Sequence, residues 1–318
     1  MTSDLSLVAD VGGTNTRVAL AEGAAIRTGS IRRFRNAEHA SLEAVLRAYL
    51  AAEGGIACRG AAAAIAGPVS GGRGRLTNLD WSFDTETLAA ATGAETAVLL
   101  NDLQAQGYAM GMIAAENLRW VHGPALPDKG RAKLVIGVGT GCNIAPVFET
   151  PKGRFVPASE TGHTDLPVNS EADLRMKVFL DATRDTAEVE SVLSGRGIGQ
   201  AYAWHCHEAG VAAEKDAAGI MAACAEGDPL ARAAVATAVR MLGGVAGNLA
   251  LSYLPFDGIF LIGGVARALS EYFGDFDFTS AFHDRGRFSG FMDQFSVAVV
   301  TDDFAALTGL AAHLVSLG

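Results

Sequence analysis

The run Leu5-Ser6-Leu7-Val8-Ala9-Asp10-Val11-Gly12-Gly13-Thr14-Asn15-Thr16-Arg17-Val18-Ala19-Leu20-Ala21 decides the fold. Positions 5–10 form a short apolar stretch of strand type, and 17–21 form another. The glycine turn Gly12-Gly13-Thr14-Asn15 joins them, so the pair reads as a β-hairpin. The pattern returns further along, where 134–138 runs into Gly139-Thr140-Gly141 and then into 144–148. Two strand–glycine turn–strand units form a weak internal repeat, which implies two related α/β lobes with a cleft between them.

Elsewhere strands and helices alternate. Helical spacing predicts helices over 42–52, 85–92, 105–115, 171–182, 228–254 and 305–316. Buried strands are expected at 61–66, 97–100, 259–262 and 297–300. The order is α/β throughout. The expected division is a small lobe of 1–103 plus 298–318 and a large lobe of 104–297.

Composition narrows the class. The chain has 318 residues, 49% hydrophobic and 19% charged, enough to bury a large core in about two domains. A net charge of −10 argues against nucleic acid as a partner, because phosphate contacts require a basic surface. No basic stretch precedes an apolar one at the N-terminus, so no secretory signal is expected. The apolar segment 241–269 is broken by Asn248, Pro255, Asp257 and Gly263-Gly264, which suits a soluble helix, turn and strand better than a bilayer span. Cys58, Cys142, Cys206 and Cys224 lie far apart, and unpaired thiols of a cytoplasmic protein are expected. His205-Cys206-His207 alternates, so its members do not share a helix face and are read as ordinary helix residues.

Glycine is in excess, with 38 residues, and three glycine turns sit at strand ends: Gly12-Gly13-Thr14, Gly139-Thr140-Gly141 and Gly263-Gly264. Without a Cβ, backbone N–H groups can approach phosphate oxygens there. None of the three continues as G-x-G-x-x-G into a helix, which disfavours a dinucleotide site. No lysine follows a glycine, so a Walker A loop is excluded, and no His-Arg-Asp triplet marks a protein-kinase loop. Asp102, just beyond a buried strand, reads either as a cleft-facing carboxylate or as the cap of the next helix.

In order along the chain, the motifs resemble those of the bacterial glucokinase family, in the actin-like ATPase superfamily with its ribonuclease-H-like fold. Asp10-Val11-Gly12-Gly13-Thr14-Asn15 is similar to the first phosphate motif, and Gly137-Val138-Gly139-Thr140-Gly141 to the second. Ala66-Gly67-Pro68-Val69, then Thr77-Asn78 with Trp81 and Phe83, resembles the sugar-side segment. Leu100-Asn101-Asp102 resembles the catalytic-base turn and Glu160-Thr161-Gly162-His163 the E-x-G-H sugar motif. Glu190 with Val192-Leu193-Ser194-Gly195 and Ile262-Gly263-Gly264-Val265 match the next segment and the adenosine motif. Gly286-Arg287-Phe288 and Ala305-Ala306-Leu307-Thr308-Gly309-Leu310 carry the likeness to the C-terminus. Cysteines of the zinc-binding type in the repressor-and-sugar-kinase cousins are missing, so the resemblance is to the other glucokinase branch, and no helix-turn-helix precedes the first strand, which argues against a sugar-responsive repressor.

The resemblance implies ATP-dependent phosphorylation of glucose at its 6-hydroxyl. Asp102 would be the general base. Asn78, Asn101, Asp102, Glu160, His163 and Glu190 would bind the sugar. Gly12, Gly13, Thr14, Asn15, Gly139, Thr140, Gly141, Gly263 and Gly264 would hold ATP, with Asp10 near Mg²⁺ through water. A homodimer is implied by the resemblance alone. The alternatives are a kinase for another hexose, a non-catalytic sugar sensor and a filament-forming ATPase. The chain departs from the family at two places. Cys142-Asn143 stand where Leu-Gly is usual, and a side chain at 143 is expected to narrow or re-aim the nucleotide cleft. Ala158-Ser159 stand where Pro-Gly is usual, which bears on the identity of the sugar.

Overall fold

The computed structural model describes residues 5–76, 79–125, 129–183 and 186–318. The chain divides into two compact units. The first comprises Met1–Ile113, Thr150–Ala158 and Asp302–Gly318, and the second Ala114–Glu149 and Ser159–Thr301.

In the first unit, β1 (Leu5–Val11) and β2 (Asn15–Glu22) form the expected hairpin, with Asp10 opposite Arg17. β3 (Gly60–Ile65) pairs parallel to β1, and β4 (Thr96–Asn101) pairs parallel to β3. Val11, Ile65 and Asn101 are in register across the three strands, so the chain leaves all of them at one end of the sheet. Parallel strands are covered on both faces and read as continuous apolar runs. β3, Gly-Ala-Ala-Ala-Ala-Ile, is buried at every position. Its small side chains let helices approach closely: the C-terminal helix Ala305–Ser316 contacts β3 and the Asp102–Ala109 helix, and Gly309 lies on the Ala105 carbonyl where a methyl group would overlap it. Leu7, Val11, Leu20, Leu46, Tyr49, Ile65 and Leu99 belong to this unit's own core.

The second unit repeats the plan. β5 (Lys133–Val138) and β6 (Cys142–Thr150) form a hairpin, β7 (Ile259–Ile262) pairs parallel to β5, and β8 (Val297–Val300) pairs parallel to β7. Gly137 stands opposite both Asn143 and Ile262, so the glycine turns after β5 and β7 leave one end of this sheet together. A separate core includes Leu134, Val192, Leu193, Leu242 and Phe278. Through it runs the Pro229–Tyr253 helix, started by Asp228, whose Oδ1 accepts from the N–H groups of Leu230 and Ala231. By length and composition that helix could cross a membrane, but 78% of its most apolar window is buried inside the protein, as in a core helix.

The helices Leu42–Ala52, Thr85–Thr92 and Ala305–Ser316 lie where the spacing predicts. The helix expected over 105–115 instead spans Asp102–Ala109. Asn101 and Gln104 form a capping box that starts it early, and it ends at an extended Met110 followed by Gly111 at φ 90°. His205-Cys206-His207 falls in the helix Gly195–Glu208: His205 Nε2 meets Thr237 Oγ1 at 2.9 Å, Cys206 is buried and the His207 ring lies against Phe179. All four cysteines are unpaired and buried.

Candidate active site

The base turn lies in the first unit. Asn101, the last residue of β4, takes the N-cap position: its Oδ1 accepts from Leu103 N at 3.0 Å and Gln104 Oε1 accepts from Asn101 N at 3.2 Å. Asn101 Nδ2 donates to the Gly67 carbonyl at 3.1 Å, tying this turn to the loop after β3. Asp102 is therefore not the cap. It stands in the helix's first turn, half-buried, with Oδ1 accepting from Leu103 N at 2.8 Å, where the aligned peptide dipoles favour an anion. Asn78 lies outside the described residues.

The first phosphate turn is closed by Gly12 N donating to the Asn15 carbonyl at 3.0 Å. A buried residue absent from the motif fastens it. Asn36 Nδ2 donates to the Gly12 carbonyl at 2.7 Å, its backbone N–H donates to the Thr14 carbonyl at 3.0 Å, and its Oδ1 accepts from Thr16 Oγ1 at 2.8 Å. Asp10 enters this turn from β1. Burial raises its pKa above the ordinary carboxylate range, and Arg17, 3.4 Å away, opposes the shift. A desolvated carboxylate with one long cationic contact gains from a divalent ion beside it, so the site suits Mg²⁺.

The sugar motif lies in the second unit and is zipped to the segment before Glu190 by backbone bonds: Leu166 N to the Ala187 carbonyl and Val189 N to the Thr164 carbonyl, with a bridge between Asp165 and Glu188. These bring Glu160, His163, Glu188 and Glu190 into one cluster. His163 Nδ1 and Glu188 Oε2 are 2.9 Å apart, and that bond is the main reason the imidazole pKa is raised. Glu190 Oε2 accepts from Cys142 N at 2.9 Å, and its Oε1 accepts from Arg196 at 3.2 Å. Burial and the Glu190 charge push the Cys142 thiol up to about 12, so it is no nucleophile.

The second phosphate turn adjoins this cluster. Gly139 N donates to the Gly141 carbonyl and Gly195 N to the Gly139 carbonyl, both at 2.8 Å, which sets the turn beside the start of the Gly195–Glu208 helix. A Cβ on Gly141 would stand 2.6 Å from Glu190 Oε2. Gly263, at φ 105°, lies against the Val138 carbonyl, so the turns after β5 and β7 touch through backbone alone. A Cβ on Gly139 or Gly264 would meet only open space, leaving room for a ligand over both. Asn143 follows this turn on β6. Its amide is spent on residues 159–161 of the sugar motif.

A glucokinase family model matches residues 7–317. The chain is 35% identical over 332 residues to the glucokinase of Ralstonia nicotianae, covering 98% of this chain and 96% of that protein. It is 33% identical over 316 residues to the glucokinase of Neisseria gonorrhoeae, covering 97% and 94%. The chain belongs to the glucokinase family. A crystal structure of a glucokinase from an Antarctic psychrotroph superposes with a TM-score of 0.87 at 30% identity, covering 98% of each chain. A ROK family glucokinase from Streptomyces griseus in complex with glucose and AMPPNP shares the fold at a TM-score of 0.65 and 19% identity, covering 99% of this chain and all of that one. Glucokinase membership makes the chain an enzyme of ATP-dependent glucose phosphorylation on the actin-like ATPase fold.

Sequence reading missed Asn36, Glu188 and Arg196. Their partners lie 24, 25 and 6 residues away in the chain, and only the Glu-rich stretch before Ser191 hinted at Glu188.

Proposed function

We propose that this glucokinase-family chain transfers the terminal phosphoryl group of ATP to the 6-hydroxyl of glucose, with Asp102 as general base. The observation that carries this reading is the cluster Glu160, His163, Glu188 and Glu190, set beside the Gly139–Gly141 turn. A hexose presents hydroxyls that each donate and accept, and carboxylates with an imidazole answer both needs. Asp102 accepts the hydroxyl proton as the new P–O bond forms and the bond to departing ADP breaks. Asn101 orients the base through its bond to Gly67 and, with Asn78, also contacts sugar. Glu160, His163 and Glu190 position the ring.

Gly12, Gly13, Thr14, Asn15, Gly139, Thr140 and Gly141 hold the phosphates by their backbone, and Gly263 and Gly264 take the nucleoside. Asp10 would hold Mg²⁺ through water, and the ion would supply neutralisation of charge on the phosphates. With a net charge of −10, backbone donors, and Mg²⁺ when bound, would carry the polyanion. The same charge supports a chain without nucleic-acid partners, the unpaired thiols support a cytoplasmic one, and the burial of 78% of the most apolar window of the Pro229–Tyr253 helix supports one without a membrane partner. The homodimer is carried over from the family resemblance and is checked by sedimentation. A coupled ADP-release assay over a panel of hexoses tests the reaction: glucose is expected to give the highest kcat/KM, and turnover with another hexose but not glucose would favour the alternative substrate.

A further inference from the structure

Asn143 is the second residue of β6, opposite Gly137, which has no side chain to compete for the space. The Asn143 amide is engaged at both ends. Its Nδ2 donates to the Ser159 carbonyl and to Glu160 Oε2, the latter at 3.4 Å. Its Oδ1 accepts from Thr161 N at 3.1 Å and from Ile144 N at 2.8 Å. One side chain thus grips the residue before Glu160, the residue after it and the carboxylate itself. The second departure from the family completes the clasp: Ser159 Oγ lies 2.7 Å from Thr161 Oγ1 and accepts from Thr161 N at 3.2 Å. Gly162 seats the same segment on the Cys142 carbonyl, where no Cβ would fit. The two unusual positions are therefore one device acting on the sugar motif.

We infer that Asn143 is a positioning residue that fixes the Glu160 carboxylate and sets which hexose the chain accepts. Anchoring Oε2 leaves Oε1 as the acceptor presented to a sugar hydroxyl. A free carboxylate would rotate to serve several hydroxyl arrangements, whereas an anchored one serves few. The other charged groups of the cluster are already assigned: Glu188 to His163, and Glu190 to Arg196 and Cys142 N. This inference rests on the reading that Glu160 contacts sugar.

The test uses Asn143→Asp and Asn143→Gly, each alone and combined with Glu160→Gln. Asn143→Asp keeps the acceptor for Thr161 N and Ile144 N, removes the donor and sets a like charge near Glu160. The expected result is a rise in glucose KM of roughly tenfold, the loss of one charge-assisted hydrogen bond. The kcat and the ATP KM should stay within about twofold, while the ratio of glucose to epimer kcat/KM falls. In the Glu160→Gln background the Asn143→Asp penalty should disappear, because an aspartate at 143 can accept from the new amide. An equal penalty in both backgrounds, or one that falls on the ATP KM, would overturn the inference and return Asn143 to the nucleotide or to structure alone. Asn143→Gly, which removes both ends of the amide, should lower selectivity in the same direction. Unchanged selectivity in that variant counts against the inference even if Asn143→Asp folds poorly. If the unmodified chain phosphorylates no hexose, the proposed function itself fails. If it does and the variants match it, only the inference fails.

Discussion

The two hairpin turns, Gly12–Asn15 and Gly139–Gly141, stand at equivalent points of two sheets with the same plan, yet they are fastened differently. The first is locked by the buried amide of Asn36, which takes no part in the proposed sugar site. The second is held by backbone bonds, and the strand that leaves it starts from a bond to the carboxylate of Glu190, one of the proposed sugar ligands. The lesson concerns coupling. A turn with a private fastener can be loosened without touching the proposed sugar ligands, whereas a turn that shares its fastener with Glu190 transmits a change to one of them.

Among changes at the two turns and their fasteners, the largest expected effect comes from Asp10→Asn. It removes the proposed metal-side carboxylate, and kcat should fall by roughly a hundredfold or more, the scale of losing a preorganised charge. Stability should move the other way. Burial raises the Asp10 pKa, so the ionised form is the costly one; above the ordinary carboxylate pKa the variant should melt higher than the parent, and the gain should vanish at lower pH. Melting curves at two pH values check the sign.

Gly141→Ala comes next. Its Cβ would force Glu190 aside, so kcat/KM should fall by roughly 10–100-fold, and the KM for glucose should rise together with that for ATP. Asn36→Ala sharpens the contrast. It should cost about 2 kcal/mol in unfolding free energy, because buried partners lose their bonds, and should raise the ATP KM while leaving the glucose KM alone. Equal effects of these two variants on glucose KM would break the distinction between the turns. The smallest effect is that of Glu188→Gln on His163. The Glu188 bond raises the imidazole pKa, so the pair's contribution is complete below about 6.5 and lost as pH rises through the folded value. An NMR titration should show the His163 pKa fall toward the ordinary range in the variant.

Much of this layout was legible because it is written locally. Hairpins announced by glycine turns, and helices that open at Ser41 or Asp84 and close at Gly93, carry their signals within a few residues. The misplaced Asp102–Ala109 helix shows the limit. Its start depends on a capping box that begins inside the strand residue Asn101, and the strand pattern masked it. At the proposed site, single motif residues could be named from the sequence but their hydrogen-bond partners could not. Asn36 acts on Gly12, Glu188 on His163 and Asn143 on the Glu160 segment, all across folds of the chain that only tertiary structure closes. Position 143 was noticeable as a departure, but its partners were not: the sequence places it beside a phosphate motif, while its amide bonds residues 159–161.

The central claim is that Asp102 takes the proton of the sugar hydroxyl. Steady-state kinetics of Asp102→Asn with glucose and ATP test it most directly. The asparagine can still accept a hydrogen bond but cannot take the proton, so kcat should fall by roughly 10²–10⁴-fold while the glucose KM changes little. A variant that retains near-normal kcat would contradict the assignment.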